Sequence, residues 1–179
     1  VDGELYLALD ISSGAREDLV RLASRVERDW IPERLLEERI ELHFDSEANA
    51  LRARQQLLYG DLVLASSPSS VTAGPKSSAA LVAAAAQRLE ACSPGADSAF
   101  AKLLVRLRCA RLWMPELELP ELGDEALAGL LPWLCEGRRS FAELRSAPWL
   151  PQLEGLLSHE QRRGVERHIP ERIEVPSGR

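Results

Sequence analysis

The hydrophobic period of this chain changes once, at a Ser/Pro/Gly-rich stretch, and that change limits the fold more than any other feature. Before the stretch, Ile40, Leu42 and Phe44 alternate with Glu41, His43 and Asp45, the period-2 signature of a half-buried strand. Leu5 to Leu9 is a short apolar run bounded by Gly3 and by Ser12-Ser13-Gly14. Asp18 to Val26 reads as a second strand, although its spacing also fits a helix. Trp30 to Glu38 predicts a short helix opened by Pro32 near its first turn. Ser46 to Asn49 makes a turn and Ala50 to Leu58 returns as the partner strand. Tyr59-Gly60-Asp61 breaks that strand, and Leu62-Val63-Leu64 begins another.

The stretch itself, SSPSSVTAGPK over 66–76, has linker composition. Beyond it the spacing is helical. Leu81, Val82, Ala85 and Leu89 mark one face, and Phe100, Leu103, Leu104, Leu107, Ala110 and Met114 mark a second. Pro115 to Pro120 reads as a crossing loop. Asp124 is placed to cap a third helix, Pro132 to end or kink it, and Gly137 to follow as a C-cap. Ser140 caps a short helix through Leu144, and two further helices are expected over 148–157 and 158–167. Arg172-Ile173-Glu174-Val175 reads as a closing strand. The expectation is an α+β chain. A small antiparallel barrel of the oligonucleotide-binding (OB) type, complete or not, occupies 1–66, a linker 67–76, and a mainly helical region with a short C-terminal strand 77–179.

Charge narrows the partners. The formal net charge is −6, and all of it falls before Ser67, where 14 acidic residues face 8 basic ones. A general nucleic-acid binder carries a strongly basic domain, so phosphate contact here must come from a local patch. Of 22 basic residues 20 are arginine, whose planar fork suits phosphates and carboxylates, although base composition of the genome produces the same excess. No apolar stretch is long enough to span a bilayer, and no basic start leads into an apolar core, so a cytoplasmic protein is expected. The start at Val1-Asp2-Gly3 and the stop at Ser177-Gly178-Arg179 read as the ends of an excised piece. Three widely spaced cysteines, Cys92, Cys109 and Cys135, suit buried thiols better than a disulfide framework or a zinc site.

Catalytic motifs are missing: there is no GxxxxGK[ST], no GxGxxG after a strand, no HExxH and no GxSxG. His43, His159 and His168 lack partners at ligand spacing. No catalytic residue, cofactor-binding residue or metal site is assigned. The informative segment is LRARQQLLYG, 51–60. Arg52 and Arg54 share a strand face opposite Leu51 and Ala53, and Tyr59 offers a stacking surface, a combination that holds single-stranded nucleic acid on small barrels. The competing reading is a solvated face paired with Glu41, Asp45 or Glu47. Arg138-Arg139 and Arg162-Arg163 are weaker phosphate candidates, and Arg106, Arg108 and Arg111 spread around one helix. Trp113, Trp133 and Trp149 read first as core and second as a protein-interaction surface.

Three phrases in order resemble one family. ALRARQQLLYGDLVL (50–64), DEALAGLLPWLCEGRRSFAEL (124–144) and HEQRRGVERHIPERIEVPSG (159–178) are similar to stretches that follow the helicase core in the bacterial HrpB family of ATP-dependent, DExH-box superfamily 2 helicases. His159 departs from an expected aromatic, and 132–137 does not align cleanly. The resemblance implies a barrel plus the family's carboxy-terminal region, with the RecA-like motor, its ATP and its Mg²⁺ lying upstream. The implied role is an accessory module contacting single-stranded RNA or DNA, or packing on the motor domains of the same chain. The alternative is a scaffold that recruits a protein partner without touching nucleic acid. On either reading these 179 residues are not themselves an enzyme.

Overall fold

A computed structural model describes residues 5–14 and 16–171; the expected closing strand at 172–175 lies outside them. The chain divides into two compact units, one of residues 1–42 and 52–70, the other of residues 43–51 and 71–179.

In the first unit, β1 (Leu5–Ser13) and β2 (Asp18–Val26) form an antiparallel hairpin, so the alternation in Asp18–Val26 is that of a strand and not of a helix. β3 (Leu36–Asp45), β4 (Ala50–Tyr59) and β5 (Leu62–Ser69) form a second sheet in the order β3-β4-β5. Leu51, Ala53, Leu58 and Leu64 are its buried residues. Asn49 in the β3–β4 turn (φ 50°) and Gly60 in the β4–β5 turn (φ 58°) hold the left-handed backbone that tight turns need.

The sheets have two and three strands, and no barrel closes among the described residues. Closure requires every edge strand to find a second neighbour, and β1, β2, β3 and β5 each pair on one side only. The helix expected at Trp30–Glu38 is instead two single 3-10 turns, Arg28–Trp30 and Glu33–Leu35, followed directly by β3. Pro32 takes an extended conformation (φ −58°, ψ 133°) between them, and the three residues before β3 are too few to nucleate an α-helix. Strand β5 also runs into the expected linker, with Ser66–Ser69 paired to Ala53–Gln56. Ladder pairing needs backbone groups rather than apolar side chains, and Pro68 is tolerated because β5 is an edge strand.

The second unit is helical: α1 (Pro75–Gln87), α2 (Leu89–Cys92), α3 (Ala99–Trp113), α4 (Asp124–Ala128), α5 (Leu131–Leu134), α6 (Phe141–Arg145), α7 (Trp149–Gly155) and α8 (His159–His168). Ser98, Ser140 and Ser158 cap α3, α6 and α8 by accepting N–H bonds from Ala101, Glu143 and Gln161. The cap of α4 is Gly123 rather than Asp124, which opens the helix instead; there its carboxylate still meets the positive end of the helix dipole. Pro132 falls in the first turn of α5, where its missing N–H costs nothing, and Gly137 follows at φ 72°.

The core of this unit gathers Leu81, Ala85, Leu107, Leu131, Leu134, Phe141, Leu144, Trp149 and Leu153, all buried. The β3–β4 turn is part of it. Phe44 stacks on Phe141 with centroids 4.7 Å apart. Leu51 N–H donates to the Arg139 carbonyl at 2.8 Å, and Phe141 N–H to the Asn49 carbonyl at 2.9 Å. Trp149 packs on Phe100 and donates its indole N–H to the Leu144 carbonyl at 2.8 Å.

Trp113 and Trp133 overturn the core reading, standing 73 % and 69 % exposed. Trp113 is the last residue of α3, past the end of the buried stripe Phe100, Leu104, Leu107 and Ala110. The single-turn helix α5 already spends its inward side on Leu131 and Leu134, which leaves Trp133 outside.

Candidate nucleic-acid interface

Strand β4 alternates as its sequence demands, with Leu51 and Ala53 buried and Arg52 and Arg54 exposed. Arg52 is not a free guanidinium. Of the acids suggested as partners, Glu41 accepts from Gln56 at 2.7 Å; Glu38, on the same strand and not among them, accepts from Gln55 at 3.2 Å. Asp45 accepts the N–H groups of Glu47 and Ala48, both at 3.0 Å, and so builds the turn. Tyr59 is exposed at the far end of the strand. At about 3.3 Å per residue it lies roughly 16 Å beyond Arg54, too far for the two to serve one nucleotide.

The doublets sit in the helical unit. Arg138 acts on its own backbone, donating from Nη1 to the carbonyls of Leu134 at 2.7 Å and Glu136 at 3.3 Å, which satisfies the end of α5. Arg162 donates to the Leu157 carbonyl at 3.3 Å. Arg139 and Arg163 are exposed, and among the described residues no hydrogen bond or ion pair engages their guanidinium groups or that of Arg54. Arg139 does contribute its backbone, its N–H donating to Glu143 Oε2 at 2.7 Å.

The three arginines of α3 have structural partners. Arg106 forks onto the Ile169 carbonyl from Nε at 3.0 Å and from Nη2 at 2.6 Å, tying α3 to the end of α8. Arg108 donates to the Leu122 carbonyl at 2.9 Å, and Arg111 approaches Glu121 at 3.8 Å. Arg88, not singled out from sequence, lies 5.6 Å over the Phe141 ring and points Nη1 at the Ser46 carbonyl, 3.5 Å away.

Cys92 and Cys135 are fully buried free thiols, and Cys109 is partly exposed. Burial raises the Cys92 thiol and pushes Cys135 up to about 12, helped by the Cys92 thiol and opposed by Arg138. Neither has the lowered pKa of a nucleophile or ligand. No group of His, Cys, Asp and Glu able to hold a metal ion occurs among the described residues, and no helix among them is long and apolar enough to cross a membrane.

Over 81 residues, 43 % of its length, the chain is 35 % identical to the ATP-dependent RNA helicase HrpB of Escherichia coli strain K12. Its fold matches two crystal structures of E. coli HrpB, one described as a DExH-box NTPase and one as a DEAH/RHA helicase. The TM-scores are 0.51 and 0.52, at 23 % and 24 % identity over 92 % and 97 % of this chain. The chain is thus similar in sequence and in fold to part of HrpB. It spans only 10 % of the curated relative and 21–23 % of the two solved chains. No protein-family model matches it. The β unit followed by helices is the α+β order expected from the change of period.

Proposed function

We propose that this chain is the accessory carboxy-terminal module of an ATP-dependent RNA helicase, itself without catalytic residues, working in the cytoplasm beside motor domains that bind ATP and Mg²⁺. The HrpB likeness across nearly the whole chain carries this reading. In it, single-stranded RNA runs along exposed arginines: Arg52 and Arg54 on β4, with Arg139 and Arg163 as secondary phosphate contacts. Tyr59 stacks a separate base, and Arg138 and Arg162 position backbone more than they bind phosphate. The net charge of −6 makes binding weak and salt-sensitive, because each phosphate contact releases a counterion.

Titration of a labelled single-stranded RNA at low and moderate salt tests the reading. Saturable binding that weakens with salt, and weakens further in Arg52→Ala/Arg54→Ala, is the expected outcome. Absence of saturable binding at low salt removes RNA contact from the module's role.

The exposed Trp113 and Trp133 favour a second reading, a protein-interaction scaffold, since tryptophans are enriched at interface centres. Under it, Trp113→Ala and Trp133→Ala abolish retention of the motor domains or of a partner protein while leaving RNA binding unchanged.

A further inference from the structure

Helix α8 is held to the rest of the helical unit differently from its neighbours. Val165 is its one buried residue; Gln161 and Gly164 are half-buried, and the other seven of its ten residues are exposed. By contrast α3 buries Phe100, Leu104, Leu107 and Ala110, and the shorter α7 buries Trp149 and Leu153. The sequence HEQRRGVERH explains the difference, because Val165 is its only aliphatic residue. Where α8 comes closest to the 3-10 turn Pro115–Leu117 it presents Gly164, at which a Cβ would meet Leu117 Cδ2 at 2.6 Å. Backbone, and not an apolar side chain of α8, makes that contact.

Hydrogen bonds take the place of apolar burial. At one end Gln161 Nε2 donates to the Glu118 carbonyl at 2.8 Å and to the Leu117 carbonyl at 3.3 Å. At the other, the Arg106 guanidinium of α3 forks onto the carbonyl of Ile169, a half-buried residue just past the helix. On release such groups bond to water instead, so their net contribution is small beside a buried stripe of four apolar residues. A ten-residue helix is also marginal by itself in water, so leaving the unit and unwinding are one event. Segments with few buried apolar contacts open well below the free energy of global unfolding. Behind α8 lies a cavity of about 210 Å³, lined by Leu103 and Leu107 of α3, by Leu150 of α7 and by Val165 and Glu166 of α8 itself.

We infer that α8 is a lid. It leaves the helical unit as a single element, and its release opens the apolar cavity between α3 and α7. The Gln161 and Arg106 bonds are its two latches, one at each end, and Val165 is the apolar contact between them.

Hydrogen exchange in this chain across a denaturant series tests the lid. The amides of Arg162 to Ile169 should open together, about tenfold or more faster than the buried amides of α3 and α7, and with a smaller denaturant dependence. Gln161→Glu keeps the acceptor for the Ser158 N–H but cannot donate to Leu117 and Glu118. Arg106→Met removes the fork. Each should speed exchange in α8 by about three- to tenfold and leave α6 and α7 unchanged. With both latches removed, the apolar dye anilinonaphthalene sulfonate should gain fluorescence on the chain. Equal rates and equal denaturant dependence in α8, α3 and α7 overturn the lid, as does a variant that speeds α6 and α7 as much as α8. Dye fluorescence unchanged in the double variant overturns the opening of the cavity.

Discussion

The helical unit and the β1–β2 hairpin carry comparable apolar residues and bury them very differently. Trp149, Phe141, Leu81 and Leu153 in the helical unit are at most 1 % exposed, whereas Leu7, Leu9 and Leu22 in the hairpin are more than half exposed. Both obey the periodicity of their own element. Periodicity selects the side of an element that turns away from water, but only a second layer can cover that side. The helical unit supplies its own, because α1, α3, α5, α6 and α7 converge on one cluster and the end of β3 adds Phe44. Among the described residues the hairpin is a two-stranded sheet by itself, and no second layer covers Leu7, Leu9 or Leu22.

Truncating the core should have the largest effect. Trp149→Ala removes a buried ring, its contact with Phe100 and the indole bond to the Leu144 carbonyl. We expect about 3–5 kcal/mol lost from the unfolding free energy of the helical unit, read by denaturant titration. A loss below about 1 kcal/mol would make this core as open as the hairpin and erase the contrast.

Alkaline titration comes next. The Cys135 thiol holds its proton more tightly when folded, with a pKa of about 12 against an ordinary 9.0. Its contribution is fully present below pH 9.0 and is lost as pH rises toward 12. Denaturation midpoints should fall over that window, less steeply in Cys135→Ala, and below it a thiol reagent should modify Cys109 well before Cys92 or Cys135. Rapid modification of Cys135 at neutral pH would contradict its burial.

A smaller change is expected where two helices are tied by one side chain. Arg106→Met keeps the aliphatic stem and deletes the fork onto the Ile169 carbonyl, at a cost of about 1–2 kcal/mol. The loss should appear first as faster hydrogen exchange at the end of α8. The smallest effect belongs to the hairpin: Leu22→Ser in this chain should shift stability by less than about 0.5 kcal/mol, because the side chain is already 57 % exposed. A large loss from that substitution would show that the hairpin face is covered within this chain.

Much of the architecture was legible before any coordinate. The strands at Leu5–Leu9 and 40–45, the turn at Ser46–Asn49, the break at Gly60 and the serine cap at 140 all follow from local rules, in which a few neighbouring residues decide the backbone. The errors arose where local rules conflict. Pro32 read as a helix opener, yet the strand phase of Leu36 onward claimed the residues after it. Ser66–Ser69 read as linker by composition, yet β4 offered a free ladder edge. The candidate site was partly legible. The exposure of Arg52 and Arg54 followed from alternation, but the engagement of Arg106, Arg108 and Arg138 by carbonyls depends on which chain end comes near, and no spacing encodes that.

The sequence by itself determined the change from strand to helix, the faces of each element and, through three phrases and their order, the likeness to HrpB. Tertiary structure alone decided that Trp149 is core while Trp113 and Trp133 are surface and that, among the described residues, the sheets stay open and Leu7, Leu9 and Leu22 stay exposed. The physical reason is that an element's amphipathicity depends on its own residues, whereas burial depends on how many layers reach it.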